Sequence, residues 1–282
     1  MRVYITADME GASGLVRSSE VLEGQFDYEE GRALMTADVN AAIAGAFDGG
    51  ATEVWVNDGH WHMTNLKVQD LDPRAQLIRG FYSKRDIMTE GLARGFDAYF
   101  QVGMHAMVGK NPGVMNETIW GREVHGLRLN GMDIGEIGMN AAFAGAHGVP
   151  LCLVTGDDFA CKEARALIGE ELETVAVKQS IGRWAARCLS PKVSQELIRA
   201  GARRAVEKCK RIRPYTAQEP ATFEIIWTST AEAAVASLIP GVEVDESDFR
   251  INRLTGKTYL EAYTLCLAAL LIGGGATDVV YG

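Results

Sequence analysis

Residues 3–14 read VYITADMEGASG. A short apolar run, Val3 to Ile5, passes almost directly into two acids, Asp8 and Glu10. The run does not alternate polar with apolar residues, which is how a strand buried on both faces of a parallel sheet reads. Carboxylates at the end of such a strand have a reason to be there, because open α/β sheets bind their ligands just beyond the carboxyl ends of the strands. Residues i and i+2 of an extended chain point the same way, about 6.5 to 7 Å apart at the Cα atoms. Asp8 and Glu10 can therefore close on one cation from one side, with Gly11 and Gly14 turning the backbone away behind them.

The pattern recurs along the chain. TEVWVND (52–58), DAYFQVGMH (97–105), VPLCLVTGD (149–157) and TVAVKQS (174–180) are short, rich in Val and aromatics, and mostly not alternating. Between the first two strands, DYEEGRALMTADVNAAIAGAFDGG carries Leu34, Ala41, Ala42 and Phe47 at helical spacing and ends on Gly49-Gly50. Residues 136–147 and CKEARALIGEEL (161–172) read as two more helices. Strand alternating with helix predicts an α/β fold, a doubly wound, mainly parallel sheet. After about residue 185 the rhythm changes. Ser190-Pro191 opens a long helix to about Lys210, with Ser as N-cap and Pro at N1. TFEIIWTS, a helix near Ala231 to Leu238, VEVDESDFRINR and a last helix from about Tyr259 follow. The expectation is a catalytic, metal-binding α/β domain over 1–185 and a smaller α+β unit over 186–282.

Composition limits the function. The 282 residues are 47% hydrophobic and 23% charged, an ordinary globular balance. A net charge of −9 argues against nucleic acid, which needs a basic face. The amino terminus lacks the apolar core of a signal peptide. The stretch nearest to a membrane span, LCLAALLIGGG, is too short and is broken by glycines. Five scattered cysteines with no C-x-x-C fit reduced, structural thiols. A cytoplasmic protein with no membrane partner is expected.

The strand ends also deliver candidate ligands. The second strand ends in VNDGH, giving Asp58 and His60; the third ends in VGMH, giving His105; the helix start GEIGMN adds Glu136. Asp8, Glu10, His60, His105 and Glu136 form a set of three carboxylates and two imidazoles whose mutual repulsion calls for a positive partner. A catalytic zinc needs three protein ligands plus water, so five ligands suit two metals if one carboxylate bridges, and Asp8 on the first strand is the natural bridge. The mixed N/O set favours Zn2+ and accommodates Mn2+ or Co2+. Paired metals of this kind serve aminopeptidases and phosphatases. A phosphate ester ranks low, because the glycines that could cradle phosphate stand among acids. His62 and Asp58 are candidate supports for the ligands, or a surface and a turn residue. Asp157 and Asp158 are expected to cap a helix. Lys178 is expected in a structural ion pair, with a role in the pocket as the alternative. His125 and His147 have no assigned role.

The stretches DMEGASG, VNDGHWHMTNL, PGVM, GEIGMNA, GDD, AVKQSIGRWAARCLSP and LEAYTLCL span residues 8 to 267. Together they resemble the M55 family of zinc-dependent D-aminopeptidases of the dipeptide-operon type. The resemblance implies Asp8 bridging two zinc ions, with Glu10 and His60 completing one site and His105 and Glu136 the other. It implies a homo-oligomer, with a ring-shaped decamer as the family form. Family members carry a catalytic His shortly after Pro-Gly-Val-Met, where this chain has Glu117. Glu117 is thus the candidate catalytic acid/base, or else a rim residue or anchor for the substrate amine. The expected function is hydrolysis of the N-terminal peptide bond of short peptides, those of D-amino acids among the candidates, by a metal-bridging hydroxide. The alternatives are a di-metal amidohydrolase acting on a non-peptide amide and a cytosolic peptide-binding accessory protein.

Overall fold

A computed structural model describes residues 1–81 and 83–276. The opening run forms β1 (Arg2–Ala7), followed by α1 (Tyr28–Asp48), β2 (Glu53–Asp58), β3 (Ala75–Ile78) and β4 (Ala98–Met104). A hairpin of β5 (Val124–Leu129) and β6 (Met132–Asp133) precedes α2 (Glu136–Ala146). Then come β7 (Leu151–Asp157), α3 (Asp158–Ile168), β8 (Glu173–Gly182), β9 (Ala185–Cys188) and α4 (Pro191–Lys208). The chain ends with β10 (Ala221–Trp227), α5 (Thr230–Ala236), β11 (Val242–Val244), β12 (Ile251–Gly256) and α6 (Tyr259–Gly273).

Seven strands form one sheet in the order β3-β2-β1-β4-β7-β8-β9. All neighbours pair in parallel except β8 and β9. This is the doubly wound α/β arrangement expected. From β1 the chain first builds outward through β2 and β3, then crosses to β4 on the other side, so the topological switch point lies between β1 and β4.

The strands of the sheet's middle are buried on both faces, as their unbroken apolar runs require. Val3 and Ile5 pack with α1 and α4, through Ala42, Ile43, Ile198 and Ala202. Tyr4 and Tyr99 point to the opposite face, among residues of α2, α6 and the second sheet. Val3, Tyr4 and Ile5 have no accessible surface. A fully buried apolar side chain of this size contributes about 1.5–3 kcal/mol.

The second sheet runs β11-β12-β10-β5-β6 and is antiparallel throughout. The two sheets interleave along the sequence. β5 and β6, from before residue 185, belong to the second sheet, whereas β9 and α4, from beyond it, belong to the first sheet and its helical layer. One helix boundary differs from the sequence expectation, and one cap is made differently. α3 starts at Asp158 and stops at Ile168, because Gly169 at φ 107° closes it before Glu170. Ser190 occupies the N-cap position of α4, but its side chain makes no capping bond there.

Candidate metal centre

β2, β1 and β4 lie side by side and end at one edge, with Ala7 paired to Asp58 on one side and Val102 on the other. β1 ends at Ala7, so Asp8 and Glu10 are not the extended pair their spacing suggested; a turn brings them together. Asp8 N–H still donates to Val102 O (2.8 Å), then Gly11 N–H donates to Gly103 O (2.8 Å) and Ala12 N–H to Met9 O (2.9 Å). Gly11 passes so close to β4 that a Cβ there would stand 1.9 Å from the Met104 carbonyl oxygen. Only glycine allows that approach.

His60 follows β2 by two residues. Its Nε2 donates to Val21 O (2.8 Å), leaving Nδ1 facing Asp8 Oδ1 at 3.2 Å and Glu10 Oε2 at 3.0 Å. His105, next after β4, donates from Nδ1 to Ala106 O (3.0 Å). Its Nε2 faces Asp8 Oδ2 and Glu117 Oε1, both at 3.3 Å, and Glu136 Oε2 at 3.6 Å. Glu136 opens α2 and is buried; its other oxygen accepts the Ile119 N–H (2.7 Å). Two groups therefore form, Asp8–Glu10–His60 and Asp8–His105–Glu136, each with its ligand atoms within 4.8 Å of one another. Asp8 belongs to both and gives one oxygen to each.

The arrangement fits a pair of cations. A backbone carbonyl fixes the outer nitrogen of each imidazole as the donor, so the inner lone pairs confront carboxylates. Asp8 Oδ2, Glu10 Oε2, His105 Nε2 and Glu117 Oε2 are buried without a hydrogen-bond partner, and buried polar atoms rarely stay unsatisfied. The electrostatics agree. Burial opposes charge on Asp8, yet the two flanking imidazoles hold its carboxyl well below the usual range. Burial likewise opposes protonation of the imidazoles, but Glu10 drives His60 upward and Glu136 drives His105 upward. Each cluster thus draws positive charge into its centre.

Residues 1–268 match the model of the M55 peptidases, described as D-aminopeptidase. The chain belongs to the M55 peptidase family. It is 38% identical over 270 residues to a D-aminopeptidase of Bacillus subtilis (strain 168), covering 95% of this chain and 96% of that one. Its fold matches that of "Zn-dependent D-aminopeptidase DppA from Bacillus subtilis, a self-compartmentalizing protease", with a TM-score of 0.94, 37% identity and coverage of 99% and 100% of the two chains. As an M55 peptidase, with a zinc-dependent D-aminopeptidase among its relatives, the chain is a metal-dependent hydrolase.

The remaining site residues of this M55 peptidase take varied places. Glu117, on the loop after β4, touches His105; burial and the charge of Glu136 push its pKa up to about 8. Val114 N–H donates to Asp157 (2.6 Å) and Met115 N–H to Arg183 O (2.7 Å), which fixes that loop. Asp58 does not orient the His60 ring. Its carboxylate accepts the N–H groups of Asn65 (2.6 Å) and Leu66 (2.7 Å), and Asn65 in turn donates to His60 O (2.6 Å). His62 is half exposed, 3.4 Å from Glu23, and joins neither cluster. Asp157 caps α3 by accepting the Ala160 N–H (2.7 Å). Asp158, the first residue of α3, accepts from Ser180 N–H (2.8 Å). His125 is exposed on β5, and His147 packs on Phe143, 4.9 Å between ring centres.

Lys178 corrects the ion pair expected of it. Its buried ammonium donates to three backbone carbonyls of the acid-bearing turn: Glu10 (2.6 Å), Ala12 (2.9 Å) and Leu15 (2.5 Å). Sequence reasoning also passed over Glu163 of α3, whose carboxylate accepts the Met107 N–H (2.9 Å) and steadies the chain just past His105. Nothing in an ordinary helical Glu signals that role. A cavity of about 510 Å³ opens over the clusters, with Asp8, Glu10, His60, Glu117 and Glu136 among its lining.

Proposed function

We propose that the chain is a zinc-dependent aminopeptidase removing the N-terminal residue of short peptides, D-amino-acid peptides included. The observation that carries this is the position of Asp8, one oxygen toward His60 and the other toward His105. In this reading Asp8 would be shared by two zinc ions, Glu10 and His60 would hold one, and His105 and Glu136 the other; the same donors would accommodate manganese or cobalt. Bound zinc would supply a Lewis acid for the scissile carbonyl and an activated water. Glu117 carries the proton to the leaving amine, a role supported by its burial and raised pKa.

A homo-oligomer, with a decamer as its family form, belongs to the same reading and is supported by the self-compartmentalizing neighbour. So does a cytoplasmic location, which five unpaired cysteines suit. Among the described residues no helix is long and apolar enough to cross a membrane.

The test is amine release from D-Ala-D-Ala and L-Ala-L-Ala by zinc-loaded protein, with a chelator control. Cleavage of the D substrate, abolished by chelator and restored by zinc, is the expected result. Cleavage of the L substrate alone would keep the metal chemistry and reverse the specificity. No cleavage of either by protein with two zinc ions bound would favour a non-peptide amide. Glu117→Gln is expected to lower turnover by about 10²–10⁴-fold while zinc content stays at the wild-type value; unchanged turnover would remove Glu117 as proton carrier.

A further inference from the structure

The cavity lining is of two kinds. Part of it is acid and imidazole, Asp8, Glu10, His60 and Glu136, and part is an apolar wall: Met63, Ile87, Met88, Met115, Ile119 and Trp120. None of these six belongs to either acid–imidazole cluster, so the metal centre does not explain them.

Backbone conformation marks the wall as built for a purpose. Among the described residues, six other than glycine have positive φ, and five of them line this cavity: Trp61, Met63, Ile87, Met115 and Ile119. The sixth, Asn130, is in the β5–β6 turn, where Asn is tolerated. A β-branched residue such as Ile87 (φ 44°) or Ile119 (φ 62°) avoids this region. Such conformations persist only where the surroundings enforce them, and they gather at ligand-binding sites. Here the surroundings are hydrogen bonds from the sheet and the metal centre. Asn57 of β2 donates to Ile87 O (2.8 Å), Thr6 of β1 donates to Met88 O (2.7 Å), and Ile119 N–H donates to Glu136 (2.7 Å). Trp120 is fixed by its Nε1 donating to Leu270 O (3.2 Å) and by an edge contact with Phe81. The wall is rigid, apolar and attached to the same strands that bear the ligands.

We propose that this wall is a side-chain subsite and that the substrates are short peptides with a large apolar N-terminal residue. The inference rests on the aminopeptidase reading above. In an aminopeptidase the scissile carbonyl belongs to the N-terminal residue, so that residue's side chain is the one held in the cavity. With the scissile carbonyl held over the acid–imidazole part, the side chain is left to the apolar part of the lining. The rest of the peptide leaves by the mouth, where exposed Arg183 lines the cavity and suits a terminal carboxylate. A methyl side chain would leave most of the wall facing water, whereas a leucine or phenylalanine side chain would cover it.

Calorimetric titration of the zinc-loaded protein with D-phenylalanine and D-alanine reads the subsite without turnover. D-phenylalanine is expected to bind at least about tenfold more tightly; equal or weaker binding overturns the proposal. Trp120→Ala, checked for fold and zinc content, is expected to bring the two affinities together, and an unchanged ratio would remove Trp120 from the subsite. Should that variant not fold, the wild-type comparison still decides. Hydrolysis of D-Phe-NH2 and D-Ala-NH2 separates the two readings. A kcat/KM higher by about tenfold or more for D-Phe-NH2 supports both. An equal or higher value for D-Ala-NH2 overturns the subsite and leaves the aminopeptidase. No cleavage of either, with D-phenylalanine bound more tightly, overturns the aminopeptidase and leaves the subsite.

Discussion

Asp8→Ala is expected to empty both metal positions at once, whereas Glu10→Ala and Glu136→Ala each empty one. The asymmetry comes from geometry. Asp8 Oδ1 stands 3.2 Å from His60 Nδ1 and Asp8 Oδ2 stands 3.3 Å from His105 Nε2, so removing this one carboxylate strips an oxygen from each cluster. Glu10 faces only His60, and Glu136 faces only His105. Residues that merely orient a metal ligand change affinity or activity by about 10–100-fold; loss of a carboxylate shared by two ions should exceed that, about 10³-fold or more in kcat/KM. Elemental analysis after dialysis, beside a peptidase assay, gives the result. Zinc is expected to fall from about two per chain to near none in Asp8→Ala and to about one in the other two variants. An Asp8→Ala protein that retained one tightly held zinc would restrict Asp8 to a single cluster.

The second large effect is expected from Lys178→Met, which keeps the length of the side chain and removes its charge. The ammonium satisfies three carbonyls of the turn that carries Glu10, and burial lowers its pKa to about 8. Removing the donor leaves three buried acceptors, each costing about 1–3 kcal/mol when unsatisfied. Partial relaxation of the turn sets the expected loss at about 3 kcal/mol or more. Denaturant unfolding in chelator measures it. Because the strain falls on the turn, zinc binding at the Glu10–His60 cluster is expected to weaken more than at the His105–Glu136 cluster. A variant as stable as the wild type would show that other donors or water serve those carbonyls.

The parts of the molecule legible in sequence are those with a strict local rule. β1, β4 and β7 announce themselves because strands buried on both faces cannot alternate, and the ligands that follow β1, β2 and β4 are where open sheets bind. Asn130-Gly131, at φ 51° and 80°, is a two-residue hairpin signal between β5 and β6 that went unused. Reading it would have placed an antiparallel pair inside the first half of the chain. Other features had no local signature. Lys178 meets carbonyls 163 to 168 residues away, and a backbone acceptor has no residue type to search for. The apolar lining brings Ile87 and Met88 into one cavity with Trp120, and Trp120 reaches α6, residues far apart in sequence. The turn at Asp8–Glu10 was read as extended because a period of two also suits a strand; Gly11, pressed against Met104, is what bends it.

The pairing of β2, β1 and β4 also acts as a ruler. Neighbouring strands in a sheet lie about 4.7–4.9 Å apart, a pitch set by backbone hydrogen bonds alone. Asp8, His60 and His105 stand one or two residues past the ends of three neighbouring strands, so the step from imidazole to carboxylate to imidazole starts from that pitch. Loop substitutions can delete or tilt a single donor. The interval at which the two clusters are set starts from a dimension of the sheet, which no single loop substitution changes.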